Sequence, residues 1–248
     1  VVEDCAQANG ATYQGREVGS WGDVGCYSLQ FNKIVTSGEG GMVTTDSLEL
    51  YQRAALFHDV NTSRHNLPED KLLWGINFRM PELLAAVALV QMRKLGGLLE
   101  AMRARKRMLK AGMADVLAEK GLAFRTLHDE AGDAAIATIL LMQTPQQAQA
   151  VSEALRAENI GAGVLYRPEV RDYHVYAHWT PVMQQRAWSA DGNPWRWAQR
   201  PIEYRQDMCP RTLDLLGRAV HLNVSPLLSN EDVEETIEGV NRVLKALA

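Results

Sequence analysis

The chain has 248 residues, 46% of them hydrophobic, with 26 basic and 30 acidic side chains giving a formal charge of −4. That composition describes a folded globular protein with apolar residues for one substantial core or two modest ones, and it excludes a disordered chain. The two signs of charge are mixed along the sequence, so there is no basic field to attract nucleic acid, and no apolar run is long enough to span a bilayer as a helix. Cys5, Cys26 and Cys209 have no metal-ligand spacing and form an odd set, which fits free thiols in a reducing compartment. No signal peptide pattern precedes the first strand, and the expected location is the cytoplasm.

In chain order, Val1 to Gln7 (VVEDCAQ) reads as a buried strand ending in an acid, followed by a small residue and an amide. Turns are marked by Asn9-Gly10, Gln14-Gly15 and Gly19-Ser20, while Val24 to Leu29 and Gly41 to Thr45 read as further strands. These runs lack polar alternation, as strands do in a sheet covered by helices. The stretch from Cys26 to Gly41, CYSLQFNKIVTSGEGG, places Ser28, then Lys33 five residues later, then a glycine-rich turn with a glutamate, all between two strands. In a short polar loop of this kind, backbone and side chains together can hold a small ligand.

Taken singly, these residues have ordinary explanations. Most lysines are solvated surface charges, and an aspartate at the end of a strand commonly caps the next turn. Together, Asp4, Gln7, Ser28 and Lys33 supply a carboxylate, an amide, a hydroxyl and an amine. A pyridoxal phosphate site needs a lysine amine for a Schiff base, a carboxylate that keeps the pyridine nitrogen protonated, and donors for the phosphate.

Asp46-Ser47 offers a helix start, and Leu48 to Leu56 carries apolar residues at helical spacing up to His58-Asp59. The polar segment Val60 to Trp74 is expected to be a loop. A helix is predicted from Pro81, with Leu83, Val87, Val90 and Leu95 on one face and a weak point at Gly96-Gly97. A second helix, Leu98 to Glu119, ends at Gly121. Its Arg103, Arg105, Lys106, Arg107 and Lys110 read as a solvated face or as a phosphate-binding run. Further on, Ala135 to Met142 reads as a strand. Thr144-Pro145 caps a helix to Glu158, and Gly161 and Gly163 bracket a turn before Val164-Leu165-Tyr166. Between Tyr166 and Pro210 the chain is aromatic and irregular, with Tyr173, His174, Tyr176, Trp179, Trp188 and Trp195 among arginines. Such a tract can stack on sugars and pair with carboxylates, or simply pin an insertion. A short helix over Thr212 to Arg218, a strand over Val220 to Val224, and a final helix opened by the capping-box pattern at Ser229-Asn230-Glu231-Asp232 complete the chain.

The stretch VVEDCAQANGATYQGREVGSWGDVGCYSLQFNKIVTSGEGGMVTTD, with Gly75-Ile76-Asn77-Phe78-Arg79-Met80 and Ala85-Ala86, resembles the DegT/DnrJ/EryC1/StrS family of sugar aminotransferases. The likeness weakens in the C-terminal half and recovers in the last helix. It implies an α/β chain of the aspartate aminotransferase-like fold, fold type I of the pyridoxal phosphate enzymes. Residues 1–97 would form the C-terminal part of the large cofactor-binding domain and residues 98–248 a small C-terminal α/β domain. By position, the resemblance implies Lys33 as the Schiff-base lysine, Asp4 at the pyridinium nitrogen, Gln7 near the phenolic oxygen and Ser28 at the phosphate. It further implies that Asn77 reaches the phosphate in a neighbouring subunit, and hence a homodimer. His174 corresponds to a substrate-side histidine, and Tyr166, which opens the aromatic tract, is read with it as a substrate contact.

Dehydratases of this family carry histidine where this chain has Lys33, which points to transamination. The amino donor would be glutamate or glutamine, and the acceptor a keto or aldehyde group of a sugar, nucleotide sugar, sugar acid or inosose. The GCYS, NFR and DYHVY segments are similar to the octulosonate aminotransferases that make an 8-amino sugar acid of bacterial lipopolysaccharide, and inosose aminotransferases share much of the same core. Val1 falls inside what reads as a central strand. The resemblance therefore implies a preceding portion carrying a glycine-threonine phosphate turn and an aromatic that stacks on the pyridine ring. Without that portion, the alternative is a binding or assembly module that keeps the fold and does no chemistry.

Overall fold

The computed structural model describes residues 1–59 and 74–247. The loop expected over Val60 to Trp74 thus lies outside the described residues except at Trp74. The chain divides into two compact units, one of residues 1–107, 126–136 and 224–228, the other of residues 108–125, 137–223 and 229–248.

In the first unit, β1 (Val2–Asp4) runs parallel to β4 (Val24–Ser28), with Val2 opposite Val24, Glu3 opposite Gly25 and Asp4 opposite Cys26. β5 (Gly41–Thr44) pairs antiparallel with β4, Ser28 facing Gly41. A small hairpin of β2 (Thr12–Tyr13) and β3 (Arg16–Glu17) fills the β1–β4 connection. α1 (Leu48–His58) begins where expected: Ser47 is its N-cap, its side chain accepting from the Leu50 N–H at 3.3 Å.

Two expectations are corrected here. Among the described residues Val2 is 70% exposed and all of β5 is exposed, at the two ends of the order β1-β4-β5. The break between the two long helices also moves. α2 (Glu82–Met92) ends before Arg93, and α3 (Leu95–Glu119) starts ahead of the glycines, so Gly96 and Gly97 occupy its first turn. First-turn N–H groups have no intrahelical partner, so glycine disturbs the ladder less there than in mid-helix. The Leu83, Val87 and Val90 stripe of α2 is exposed, while Ala88 is buried. Ala88 joins Leu29 and Val35 in one apolar cluster, and Ala11, Leu99 and Ala134 form another.

The second unit holds an antiparallel sheet of β6 (Ala123–Phe124), β7 (Ala137–Leu141), β8 (Ala162–Val164) and β9 (Ala219–Asn223) in the order β6-β7-β9-β8. α4 (Pro145–Ala157) joins β7 to β8 as the sequence suggests, capped by Thr144 with proline in its first turn. β7 starts at Ala137 and not at Ala135, which sits in the left-handed region at φ 59°. β8 comes earlier than expected and includes Gly163, leaving Leu165 and Tyr166 beyond it. The aromatic tract is irregular, holding only the short α5 (Thr180–Met183) and two 3₁₀ turns before α6 (Pro210–Arg218). α7 (Asn230–Leu247) opens with the reciprocal box: the Ser229 N–H donates to Asp232 Oδ2 at 2.7 Å, and the Asp232 N–H to Ser229 Oγ at 3.1 Å. Leu140, Val220 and Leu222 of the sheet, Val151 and Leu155 of α4, and Val233, Val240 and Leu244 of α7 are all buried in this unit. No helix among the described residues is long and apolar enough to cross a membrane.

Candidate active site

Successive strand residues face opposite sides of a sheet, so the two acids of β1 have different fates. Glu3 accepts from the Gly22 N–H at 2.6 Å and the Gly19 N–H at 2.7 Å, and these backbone bonds hold its carboxyl below the usual carboxylate range. Tyr27 lies on that same side, its hydroxyl donating to the Val18 carbonyl at 2.6 Å. Asp4 belongs to the other side, with its register partner Cys26 and, two residues along β4, Ser28. One Asp4 oxygen accepts from the Ala6 N–H at 3.1 Å; the other has no hydrogen-bond partner among the described residues.

Ser28 ends β4, its Oγ accepting a long bond from the Gln30 N–H at 3.3 Å. The following loop folds back on Leu29, whose N–H donates to the Gly40 carbonyl at 2.9 Å. The Leu29 carbonyl accepts from the Ser37 N–H and the Thr36 hydroxyl, both at 3.0 Å. Buried Leu29 and Val35 anchor the loop from below. Gly40 has φ 146°, and a Cβ there would lie 2.8 Å from the Met80 methyl, so the return of the loop requires glycine. Lys33 rides on this pinned frame, its N–H bonded to the Gln30 carbonyl at 3.0 Å. Lys33 is half-buried, and its amine makes no hydrogen bond or ion pair among the described residues.

Asp4, Gln7, Ser28 and Lys33 therefore all lie at or just beyond the carboxyl ends of the parallel pair β1–β4, the end at which ligands bind in open α/β sheets. Asn9 ties the two strand ends together, its amide donating to the Ser28 carbonyl at 2.9 Å. Two residues along a strand span roughly 6.6 Å, which separates a carboxylate at one end from a hydroxyl at the other on one face. With a free amine in the adjoining loop, the donor set fits pyridoxal phosphate: an acid for the ring nitrogen, a hydroxyl for the phosphate and a lysine for the carbonyl carbon.

Of the other predicted site residues, Asn77 belongs to the first unit, and His174 and Tyr166 to the second. Asn77 is exposed in a stretch fixed to the end of α1, where the Ile76 N–H bonds the Phe57 carbonyl and the Phe78 N–H bonds that of His58. Its side-chain oxygen accepts from both the backbone N–H and Nε of Arg79 at 3.2 Å, and it makes no bond to Asp4, Gln7, Ser28 or Lys33 among the described residues. His174, 92% exposed at its side chain, holds Asp172 at 2.7 Å through Nδ1. The Asp172 carboxyl is kept low chiefly by the His174 backbone N–H. Tyr166 packs its ring against His178 with centroids 5.7 Å apart, and burial raises its phenol. His174 lines a cleft of about 420 Å³ with Arg156, Arg171, Glu153, Asp172 and Tyr173, and Tyr166 is not among its walls. Charges of both signs share that cleft. No cluster of three potential metal ligands exists among the described residues. Two contributors carry no sequence signal of their roles. Glu3 looks like a second candidate acid until the strand register assigns it to the backbone, and Asn9 reads only as half of an Asn-Gly turn.

Residues 1–202 match the DegT/DnrJ/EryC1/StrS aminotransferase family. The chain is 32% identical to the L-glutamine:2-deoxy-scyllo-inosose aminotransferase of Streptoalloteichus tenebrarius, covering 99% of this chain and 58% of that protein. It is 27% identical to the GDP-perosamine synthase of Escherichia coli O157:H7, covering 97% and 57% respectively. Among solved structures, an aminotransferase from Psychrobacter cryohalolentis superposes with a TM-score of 0.75 at 23% identity, over 100% of this chain and 62% of that one. That superposition shows the fold, and the chain spans less than two thirds of each of these three proteins. The family match over most of its length establishes that this chain belongs to the DegT/DnrJ/EryC1/StrS aminotransferase family.

Proposed function

We propose that the protein containing this chain is a pyridoxal phosphate-dependent aminotransferase that moves an amino group from glutamate or glutamine to the ketone or aldehyde of a sugar, nucleotide sugar, sugar acid or inosose. The observation that carries the reading is the placement of Asp4, Ser28 and Lys33 at one end of the β1–β4 pair, with Asp4 and Ser28 on one face. In this reading residues 1–97 belong to the cofactor-binding domain and 98–248 to a smaller one, and the working protein is a cytoplasmic homodimer with no nucleic-acid or membrane partner.

When bound, pyridoxal phosphate supplies an electron sink that makes the α proton of an amino acid labile. The Asp4 carboxylate would hold a proton on the ring nitrogen. Ser28 would donate its hydroxyl hydrogen to the phosphate, and Gln7 would serve the phenolic oxygen. Lys33 Nζ would take the α proton of the donor as general base and, as general acid, return it to the cofactor. Asn77 of a second copy would add a phosphate contact. His174 and Tyr166 contribute to the acceptor site by hydrogen bonding and ring stacking. The relatives named above act on an inosose and make a GDP-linked amino sugar, and these set the acceptor classes to try first.

The test is amine formation by the full-length protein with glutamate or glutamine and a panel of inososes, nucleotide keto sugars and keto sugar acids. The reading predicts a Lys33-dependent amino product from one class, with a sugar-acid product favouring the octulosonate subgroup. No transamination across the whole panel overturns it.

A further inference from the structure

We propose that Asn9 is a positioning residue that sets the phosphate end of the cofactor site, acting through Ser28. The inference rests on the reading of Asp4, Ser28 and Lys33 given above. Asn9 is 6% exposed, and its Nδ2 donates to the Ser28 carbonyl oxygen at 2.9 Å across 19 residues of sequence. Its Oδ1 is buried and has no donor among the described residues.

The asparagine sits in the turn that follows β1, between Gln7 and Gly10, the latter at φ 74°. Ala8 N–H to Cys5 O and Ala11 N–H to Ala8 O, both at 2.9 Å, hold this turn compact against the strand end. One side-chain bond thus links the segment carrying Asp4 and Gln7 to the residue carrying the phosphate hydroxyl. Ser28 needs such a tie. Its own Oγ is held by one long local bond, from the Gln30 N–H at 3.3 Å, so the aim of its hydroxyl depends on where the backbone of β4 ends. Pairing with Gly41 fixes that backbone on one side, and Asn9 fixes its carbonyl.

Turn chemistry does not explain the side chain. A buried amide oxygen without a donor is destabilising, and an apolar residue, like the neighbours Ala8 and Ala11, would avoid that penalty. What the amide supplies in return is the bond to Ser28.

The test compares pyridoxal phosphate with pyridoxal, which lacks the phosphate, as ligands of the full-length apoprotein, titrated by absorbance and fluorescence. Asn9→Ala is expected to weaken pyridoxal phosphate binding at least tenfold and to change pyridoxal binding less than twofold. In a Ser28→Ala background, adding Asn9→Ala is expected to have no further effect on pyridoxal phosphate affinity. If Asn9→Ala does not fold, the same comparison is made in Asn9→Leu, which keeps the approximate size and removes the donor without adding a charge. Equal loss for both ligands, additive loss with Ser28→Ala, or no loss at all overturns the proposal. Failure of the wild-type apoprotein to bind pyridoxal phosphate is a separate result, which removes the reading of the site itself.

Discussion

Asp4 and Ser28 stand on one face of a parallel strand pair, Asp4 in register with Cys26 and Ser28 two residues further along β4. Glu3, its neighbour in sequence, faces the other way and spends its carboxylate on two backbone N–H groups. The two acids are therefore not interchangeable. Asp4→Asn is expected to reduce kcat for transamination on the order of 10²–10³-fold, the range seen when one preorganised electrostatic partner of a reacting group is removed. Glu3→Gln is expected to act on stability, with catalysis by the folded protein little changed. Steady-state kinetics on the two variants, alongside urea unfolding, separates these outcomes.

The same Glu3 contacts give a pH signature. A carboxyl held low in the folded state binds fewer protons there than in the unfolded chain, so its contribution is fully present above the unfolded value of about 4.3 and is lost as pH falls through the lower folded value. Wild-type unfolding midpoints in urea are expected to fall between pH 5 and pH 3 more steeply than those of Glu3→Gln. Parallel curves for the two proteins would show that Glu3 is not the source.

Lys106, 6% exposed, pairs with Asp133 at 2.5 Å, while Arg103 Nε donates to the Asp133 carbonyl at 2.8 Å. The basic run on α3 thus clamps the 129–135 segment and does not form a phosphate site at these two positions. Lys106→Met leaves the Asp133 carboxylate without its partner and is expected to cost about 3 kcal/mol, as breaking one side of a buried pair does. Replacing both residues with apolar ones is expected to recover much of that loss, measurable as a double-mutant cycle by chemical unfolding.

Gly132 bonds the Thr12 N–H through its carbonyl at 2.9 Å, and a Cβ on it would collide with the Thr12 carbonyl oxygen. Gly132→Ala is expected to destabilise by about 1–3 kcal/mol, the usual cost of forcing extra volume into a packed contact. A matching drop in the denaturation midpoint checks it.

The helix caps were legible in the sequence because capping is local chemistry: Ser47, Thr144 and the Ser229–Asp232 box all act within four residues of themselves. The candidate site was legible in part. Asp4, Ser28 and Lys33 lie within 30 residues of one another, and the strand endings around them are marked by turns. What sequence could not give was register. Which of Glu3 and Asp4 faces Ser28 depends on a pairing 22 residues away, and the reach of Asn9 to Ser28 spans a hairpin that its Asn-Gly signal does not mention. The apolar runs of β1 and β5 fit buried strands, but exposure is set by neighbours in space, which a local apolar run does not specify.

Borohydride reduction of the full-length protein after incubation with pyridoxal phosphate, followed by peptide mapping, decides whether Lys33 forms the Schiff base. A single pyridoxyl adduct on Lys33, lost in Lys33→Ala, is expected. Label spread over surface lysines with Lys33 unmodified would contradict it.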